Sequence, residues 1–399
     1  MEYRAARPEE IPLLRRAEEY CFFVPPSDYD GYVEHQMRPA LTRALFGPEG
    51  ELKAGLINFP LKLYIGGARL GMGGVAGVVS WPESRREGHV GDLLTRLIAE
   101  ERQRGVPLSG LYPFKQSFYR RYGWEVASAW IRHDMPTELL LHHRGRPGTV
   151  RRYAPGEADW RTLEAIYAAR YSSGYGYIVR ETAEHWADWV NPLWNPPAYH
   201  YHTAIWHRSP GAEPEGYLLY RFLKDDQDKW LLVVKELVAL NTDAELGLYG
   251  YIAQHDSQVR TCRFRTSRDY PVWHLAENMS STKSTLESGW MLRLVDLKLA
   301  YEQRPWPDTP DGTLTIAITD PHAPWNENTW RITFDSARAA VSPAPAETSQ
   351  LSADITTLAQ LWAGFIRPEQ AVATGRLHCS DPRALDFLRA KEMWFYEFF

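Results

Sequence analysis

The sequence predicts an α/β protein, α+β in its segregated parts, built of two similar units followed by a third. Three observations predict this. An apolar strand, Val75 to Val79, feeds an arginine- and glycine-bearing loop, an amphipathic helix and a second apolar strand. A weak echo of the amino-terminal segment returns further on: Arg4-Ala5-Ala6-Arg7-Pro8-Glu9-Glu10 resembles Arg151-Arg152-Tyr153-Ala154-Pro155-Gly156-Glu157. From Met291 the pattern changes again, to alternating strands and an apolar helical stripe.

The elements follow in order. Pro8 to Tyr20 reads as a helix, with acidic residues in its first turn. Cys21 to Tyr32 is an aromatic, proline-rich loop, either packed beneath a lid or forming one wall of an acceptor pocket. Glu51 to Ile57 and Leu61 to Ile65 read as adjacent strands, and Gly66-Gly67 as a turn. Val90, Leu93, Leu94, Leu97 and Ile98 make one buried stripe on a helix from about Val90 to Arg104, which Gly105 stops. Val106 to Tyr112 is the next strand. Arg144 to Val150 suits a domain boundary, giving divisions at 1–146, 147–290 and 291–399. In the second unit Gly216 to Phe222 and Lys229 to Val238 read as strands and Ala244 to Ala253 as a helix. In the third, Leu314 to Ile318 and Trp330 to Phe334 pair, Ser342 to Thr348 is a linker, and Leu351 to Phe365 is a helical stripe.

Composition narrows the function. The chain has 399 residues, 44% hydrophobic, with a net charge of −5, which disfavours nucleic acid as partner. No apolar run approaches a membrane span. Three scattered cysteines, Cys21, Cys262 and Cys379, read as free thiols, and a charged amino terminus as no signal peptide; a cytoplasmic protein is expected. The thirteen histidines have no paired metal spacing, so no metal is expected.

The loop Arg85-Arg86-Glu87-Gly88-His89-Val90-Gly91 opens directly onto a helix. Unpaired N–H groups and the macrodipole there attract phosphate, glycines allow close approach, and arginines add charge. The corresponding stretch of the second unit, Glu236 to Leu246, has neither glycines nor cations in its loop, so only the first unit is expected to bind a phosphorylated cofactor.

Arg85-x-x-Gly88-x-Val90 resembles the signature of the Gcn5-related N-acetyltransferases (GNAT), Arg/Gln-x-x-Gly-x-Gly/Ala, departing at its last position. The full chain resembles the Eis (enhanced intracellular survival) acetyltransferases. The matching pieces are Pro82 to Gly91, Ser117 to Trp124, Arg268 to Trp273, Met291 to Asp296 and a final Phe. That family tolerates an aliphatic residue where Val90 stands. The resemblance implies tandem GNAT-like acetyltransferase domains, the second degenerate, then a sterol-carrier-protein-like (SCP2-like) domain. It implies acetyl transfer from acetyl-CoA to primary amines, such as aminoglycosides, polyamines or lysines, and a homo-oligomer, a hexamer in the family. The pantetheine would pair with Val78, Val79 and Ser80. The pyrophosphate would meet Arg85, Arg86, Glu87, Gly88, His89, Val90 and Gly91.

It further implies Tyr119 as general acid to the leaving thiolate, helped by Arg120 and Arg121, and the α-carboxylate of Phe399 as general base. Direct transfer needs one proton removed from the amine and one delivered to sulfur. Burial among aromatic rings would raise an otherwise weakly basic carboxylate. Tyr122 and Glu397 are the alternatives for the two roles, and His89 receives none. The rival reading is a non-catalytic protein whose sterol-carrier-like domain holds an apolar ligand.

Overall fold

The structure is a computed structural model describing residues 1–23, 37–190, 200–276, 278–395 and 397. Phe399, and residues 24–32 of the expected aromatic loop, lie outside the described residues. The chain divides into two compact units: Met1–Ser128, Ser173–Val179 and Gly289–Phe399 in one, Ala129–Ser172 and Arg180–Ser288 in the other. The units therefore do not follow chain order.

The chain begins with β1 (Glu2–Arg4), a short 3-10 turn, α1 (Ile11–Phe22), β2 (Thr42–Phe46), β3 (Leu52–Ile65) and β4 (Ala68–Val79). The two strands expected at Glu51–Ile57 and Leu61–Ile65 are one. Pro60 interrupts nothing because β2 pairs with β3 only as far as Ile57 and the next partner on that edge starts at Leu63, so its missing N–H falls in a gap. Then come α2 (His89–Gln103), β5 (Leu108–Leu111), α3 (Gln116–Arg120) and β6 (Glu125–Val126). Along α2, Leu93, Leu94, Leu97 and Ile98 are buried against Leu45, Ala54, Leu56 and Val75 of the sheet. Each such side chain contributes roughly 1.5–3 kcal/mol.

The second unit holds a seven-stranded sheet. Its strands are β7 (Ala129–Pro136) and β8 (Thr149–Tyr153) and, after β9 (Tyr175–Ile178) of the first unit, β10 (His202–His207), β11 (Pro214–Lys224), β12 (Trp230–Ala239), β13 (Thr261–Thr266) and β14 (Lys283–Ser288). Helices α4 (Trp160–Tyr171), α5 (Ala183–Val190) and α6 (Thr242–Ala253) complete it. Among the described residues the only parallel pair in this sheet is β12 with β13, as β4 with β5 is in the first sheet, so the second unit repeats the α/β plan of the first.

The chain re-enters the first sheet with β15 (Met291–Leu294), which lies between β5 and β6. The boundary expected at 290/291 therefore coincides with a strand of the amino-terminal sheet. After α7 (Leu297–Gln303), a five-stranded sheet forms from β16 (Gly312–Thr319), β17 (Asn328–Asp335), β18 (Arg338–Pro343), β19 (Leu351–Asp354) and β20 (Leu377–Cys379), with α8 (Ile355–Trp362) and α9 (Pro368–Ala373). The stripe read as one helix from Leu351 is a strand and then a helix. Asp354 makes the break: its carboxylate accepts the N–H of Thr357 and caps α8. The residues read as a linker from Ser342 include the end of β18.

The apolar tail is docked within the first unit: Met393, Phe395 and Glu397 are all buried. No helix among the described residues is long and apolar enough to cross a membrane. All three cysteines are free, and no group of metal-binding side chains occurs among the described residues.

Candidate active site

A cavity of about 610 Å³ opens where β4 outruns β5. The parallel ladder between them ends at Val75–Leu111, four residues before β4 does. A bulge against β3 lies between the Ala76 and Val79 pairings, at Gly77, whose φ of 54° suits glycine. Past this point the edge of β4 that faces β5 has no ladder partner in that strand, and Val78, Val79 and Ser80 line the cavity.

The loop after β4 forms the next wall. Arg86 and Gly88 both have positive φ, and Gly88 is the N-cap of α2, with no side chain closing the helix start. The first turn bond runs from Asp92 N–H to the Gly88 carbonyl, so the N–H groups before Asp92 have no intrahelical partner. Ser84, Arg85, Arg86, Gly88, His89, Val90 and Gly91 line the cavity here. Glu87 does not; its carboxylate lies 2.9 Å from His89 Nε2. Arg85 is steered across the strand end, donating from Nε to the Ser80 carbonyl at 3.2 Å.

The opposite wall is aromatic and basic. Phe114, Phe118, Arg121 and Tyr122 line it, and Cys21 and Phe22 reach it from the end of α1. Arg120 and Arg121 have different surroundings. Arg120 is held by Glu125 through two bonds of 2.6 and 2.8 Å, whereas Arg121 lies over the Phe118 ring at 5.1 Å. The Tyr122 hydroxyl sits against the start of α2: a Cβ built on Gly91 would lie 2.2 Å from it. His322, from beyond β16, backs Tyr122, with ring centroids 4.9 Å apart and its Nδ1 3.4 Å from Thr95 Oγ1.

Tyr119 stands behind this wall. It is 3% exposed, and its ring centroid lies 5.4 Å from that of Phe114 and 5.2 Å from that of Phe118. Burial alone pushes its phenol well above the ordinary tyrosine value, so it is a protonated donor at neutral pH. Nine of the twelve residues anticipated for the site therefore line one cavity. Tyr119 packs behind it, Glu87 turns to His89, and Phe399 lies outside the described residues.

The aromatic-basic character of Phe114 to Tyr122 was visible in the sequence, but not which of its rings would face the cavity. Cys21 and Phe22 open the aromatic stretch expected either beneath a lid or as one wall of a pocket; they end α1 and line this cavity.

The second unit's counterpart is built differently. The N-cap of α6 is Asn241, whose side chain accepts the N–H of Ala244, and Asp243 and Glu245 occupy the first turn. A self-capped, acidic helix start offers little to an anion.

Comparison with known proteins agrees with this geometry. Residues 2–127 and 176–294 each match an acetyltransferase (GNAT) domain family, and residues 297–396 match a sterol carrier protein domain family. The chain belongs to the Gcn5-related N-acetyltransferases. An N-acetyltransferase of Streptomyces avermitilis, described as uncharacterized, is 24% identical over 335 residues, covering 80% of this chain and 78% of that one. The fold matches a GCN5-related N-acetyltransferase from Anabaena variabilis with a TM-score of 0.89 at 22% identity, over 100% of both chains. It matches Eis1 from Mycobacterium abscessus with a TM-score of 0.80 at 19% identity, over 99% of both. Two GNAT domains followed by a sterol-carrier domain, in a fold shared with Eis1, make this an enzyme of the acyltransferase class. GNAT enzymes use acetyl-CoA, and the cavity fits such a group: an open strand edge suits amides, and an uncapped helix start with arginines suits a pyrophosphate.

Proposed function

We propose that this chain transfers an acetyl group from acetyl-CoA directly to a primary amine of aminoglycoside, polyamine or lysine type. The observation that carries the reading is the meeting, in one cavity, of the open β4 edge, the uncapped start of α2, and Arg85, Arg86 and Arg121. In this reading the pantetheine lies along Val78 to Ser80. The pyrophosphate takes the N–H groups of the loop to Gly91, with the arginines balancing its charge.

The amine nitrogen attacks the thioester carbonyl carbon and the carbon–sulfur bond breaks. The proton from the attacking nitrogen passes to the α-carboxylate of Phe399, and the thiolate takes a proton from Tyr119. Two features favour Tyr119 over Tyr122 as the acid: its burial keeps it protonated, and the Tyr122 hydroxyl lies at the phosphate-binding end, by Gly91. The enzyme is taken to be cytoplasmic and a homo-oligomer, which would cover the exposed Trp273 and Leu286.

A thiol-release assay with acetyl-CoA and a panel of primary amines tests the activity. Thiol release no faster with any amine than without one would refute it. Extending the chain past Phe399 tests the base: kcat should fall at least tenfold while acetyl-CoA affinity holds, and normal turnover would discard the carboxylate role.

A further inference from the structure

We infer that Arg304 is the anchor that fixes the carboxy-terminal segment of the first unit, and so positions whatever group that segment brings to the reaction. Arg304 is 2% exposed, yet no carboxylate among the described residues pairs with it. A buried, unpaired guanidinium is costly, so its remaining partners must account for its retention. They are backbone carbonyls and aromatic faces. Nη1 donates to the Trp362 carbonyl at the end of α8, and Nη2 to the Lys391 carbonyl at 3.4 Å. The guanidinium lies over the rings of Trp306 at 4.6 Å, Trp362 at 4.8 Å and Tyr175 at 5.4 Å. Burial pushes its pKa down to about 10, which still leaves it charged at neutral pH.

Three of these partners, Trp362, Lys391 and Tyr175, belong to the tail or to its immediate support. Past Lys391, Met393 N–H donates to the Ala363 carbonyl, one residue beyond Trp362, and Trp394 N–H donates to the Tyr175 carbonyl. The Phe395 carbonyl then accepts from Ser128 Oγ at 3.2 Å, and Ser128 Oγ itself accepts the Trp290 N–H at 2.8 Å. The segment is thus pinned through α8, through β9 and through the end of the amino-terminal sheet. Arg304 binds the first of these supports, stacks on the second and holds the tail itself. A fork with donors on two sides is needed to span the carbonyls of Trp362 and Lys391. Arg304 acts as a positioning residue.

Its consequence for turnover rests on the reading that the tail carries the base, so the test separates the two. In Arg304→Met, the Met393 and Trp394 amides should exchange hydrogen at least tenfold faster, while those of Leu314 and Ile316 on β16 keep their protection. The kcat should fall at least tenfold with the KM for acetyl-CoA within twofold, because the cofactor cavity does not include these residues. Gly364→Ala attacks the same contact from the other side, since its methyl would lie 2.5 Å from the Ala390 oxygen and the Lys391 carbon. It should release the tail in the same way, and it carries the test if Arg304→Met does not fold. Wild-type protection of Met393 and Trp394 in the folded variant overturns the anchor. Released amides with unchanged kcat uphold the anchor and overturn the tail-borne base.

Discussion

Replacing Tyr119 by phenylalanine should remove catalysis without disturbing the fold. The phenol is 3% exposed, packed against Phe114 and Phe118, and its shift has burial as its sole cause, with no hydrogen-bonding or charged neighbour contributing. Removing a hydroxyl that has no hydrogen-bond partner among the described residues changes stability by about 1 kcal/mol or less. Removing a general acid costs about 10²-fold or more in rate, roughly 2.7 kcal/mol of barrier. The two effects are therefore separable by size.

The assay is thiol release at saturating amine and acetyl-CoA, from pH 6 to pH 10, alongside urea denaturation. The variant should unfold at nearly the wild-type midpoint while its kcat falls about 100-fold. Because burial raises the phenol, wild-type kcat should not lose its acid limb below about pH 10. The same shift fixes the sign of its stability effect. The folded state favours the neutral phenol, so this contribution is present below the unfolded value near 10 and is lost as pH rises beyond it. Tyr122→Phe is the control: its hydroxyl lies at Gly91, so it should raise the KM for acetyl-CoA and leave kcat within about threefold. The reverse pattern, with kcat kept in Tyr119→Phe and lost in Tyr122→Phe, would refute the argument from burial.

Gly91→Ala should weaken acetyl-CoA binding by about tenfold or more in calorimetry, since its methyl would meet the Tyr122 hydroxyl and disturb the start of α2. Asp320→Ala should cost about 3–5 kcal/mol in urea denaturation, because it strands the fully buried Arg293, now 2.9 Å from the Asp320 carboxylate. The double change Arg293→Met with Asp320→Leu should cost less than that single one, and an equal or larger loss would show that the pair itself is stabilising. Asn241→Ala should lose about 1 kcal/mol of helix capping in the second unit. Acetyl-CoA should bind with a stoichiometry of one per chain before and after that change; two sites would contradict the view that a self-capped, acidic helix start repels the cofactor.

The cavity wall formed by the end of β4 and the start of α2 was legible because its signals are local. A strand, a loop with Gly88 and two arginines, and a stripe at Leu93, Leu94, Leu97 and Ile98 lie within one short stretch, where periodicity and helix-end chemistry act. The α/β class, the repeated plan and the change of pattern after Met291 came from the same kind of signal. What failed locally failed for physical reasons. Leu351 and Ala353 fit either a helical stripe or a strand face until the Asp354 cap decides. Pro60 reads as a strand break unless the gap between its edge partners is known.

Tertiary structure alone decided the rest, because those contacts join residues far apart in sequence. All four residues of β15 are buried, and nothing local says that this strand lies between β5 and β6. Which tyrosine of the Phe118 to Tyr122 run faces the cavity depends on packing against Gly91 and His322. The aromatic tail announced its own burial by composition. Its course past Arg304, Tyr175 and Ser128 followed only from backbone groups finding hydrogen-bond partners in distant parts of the chain.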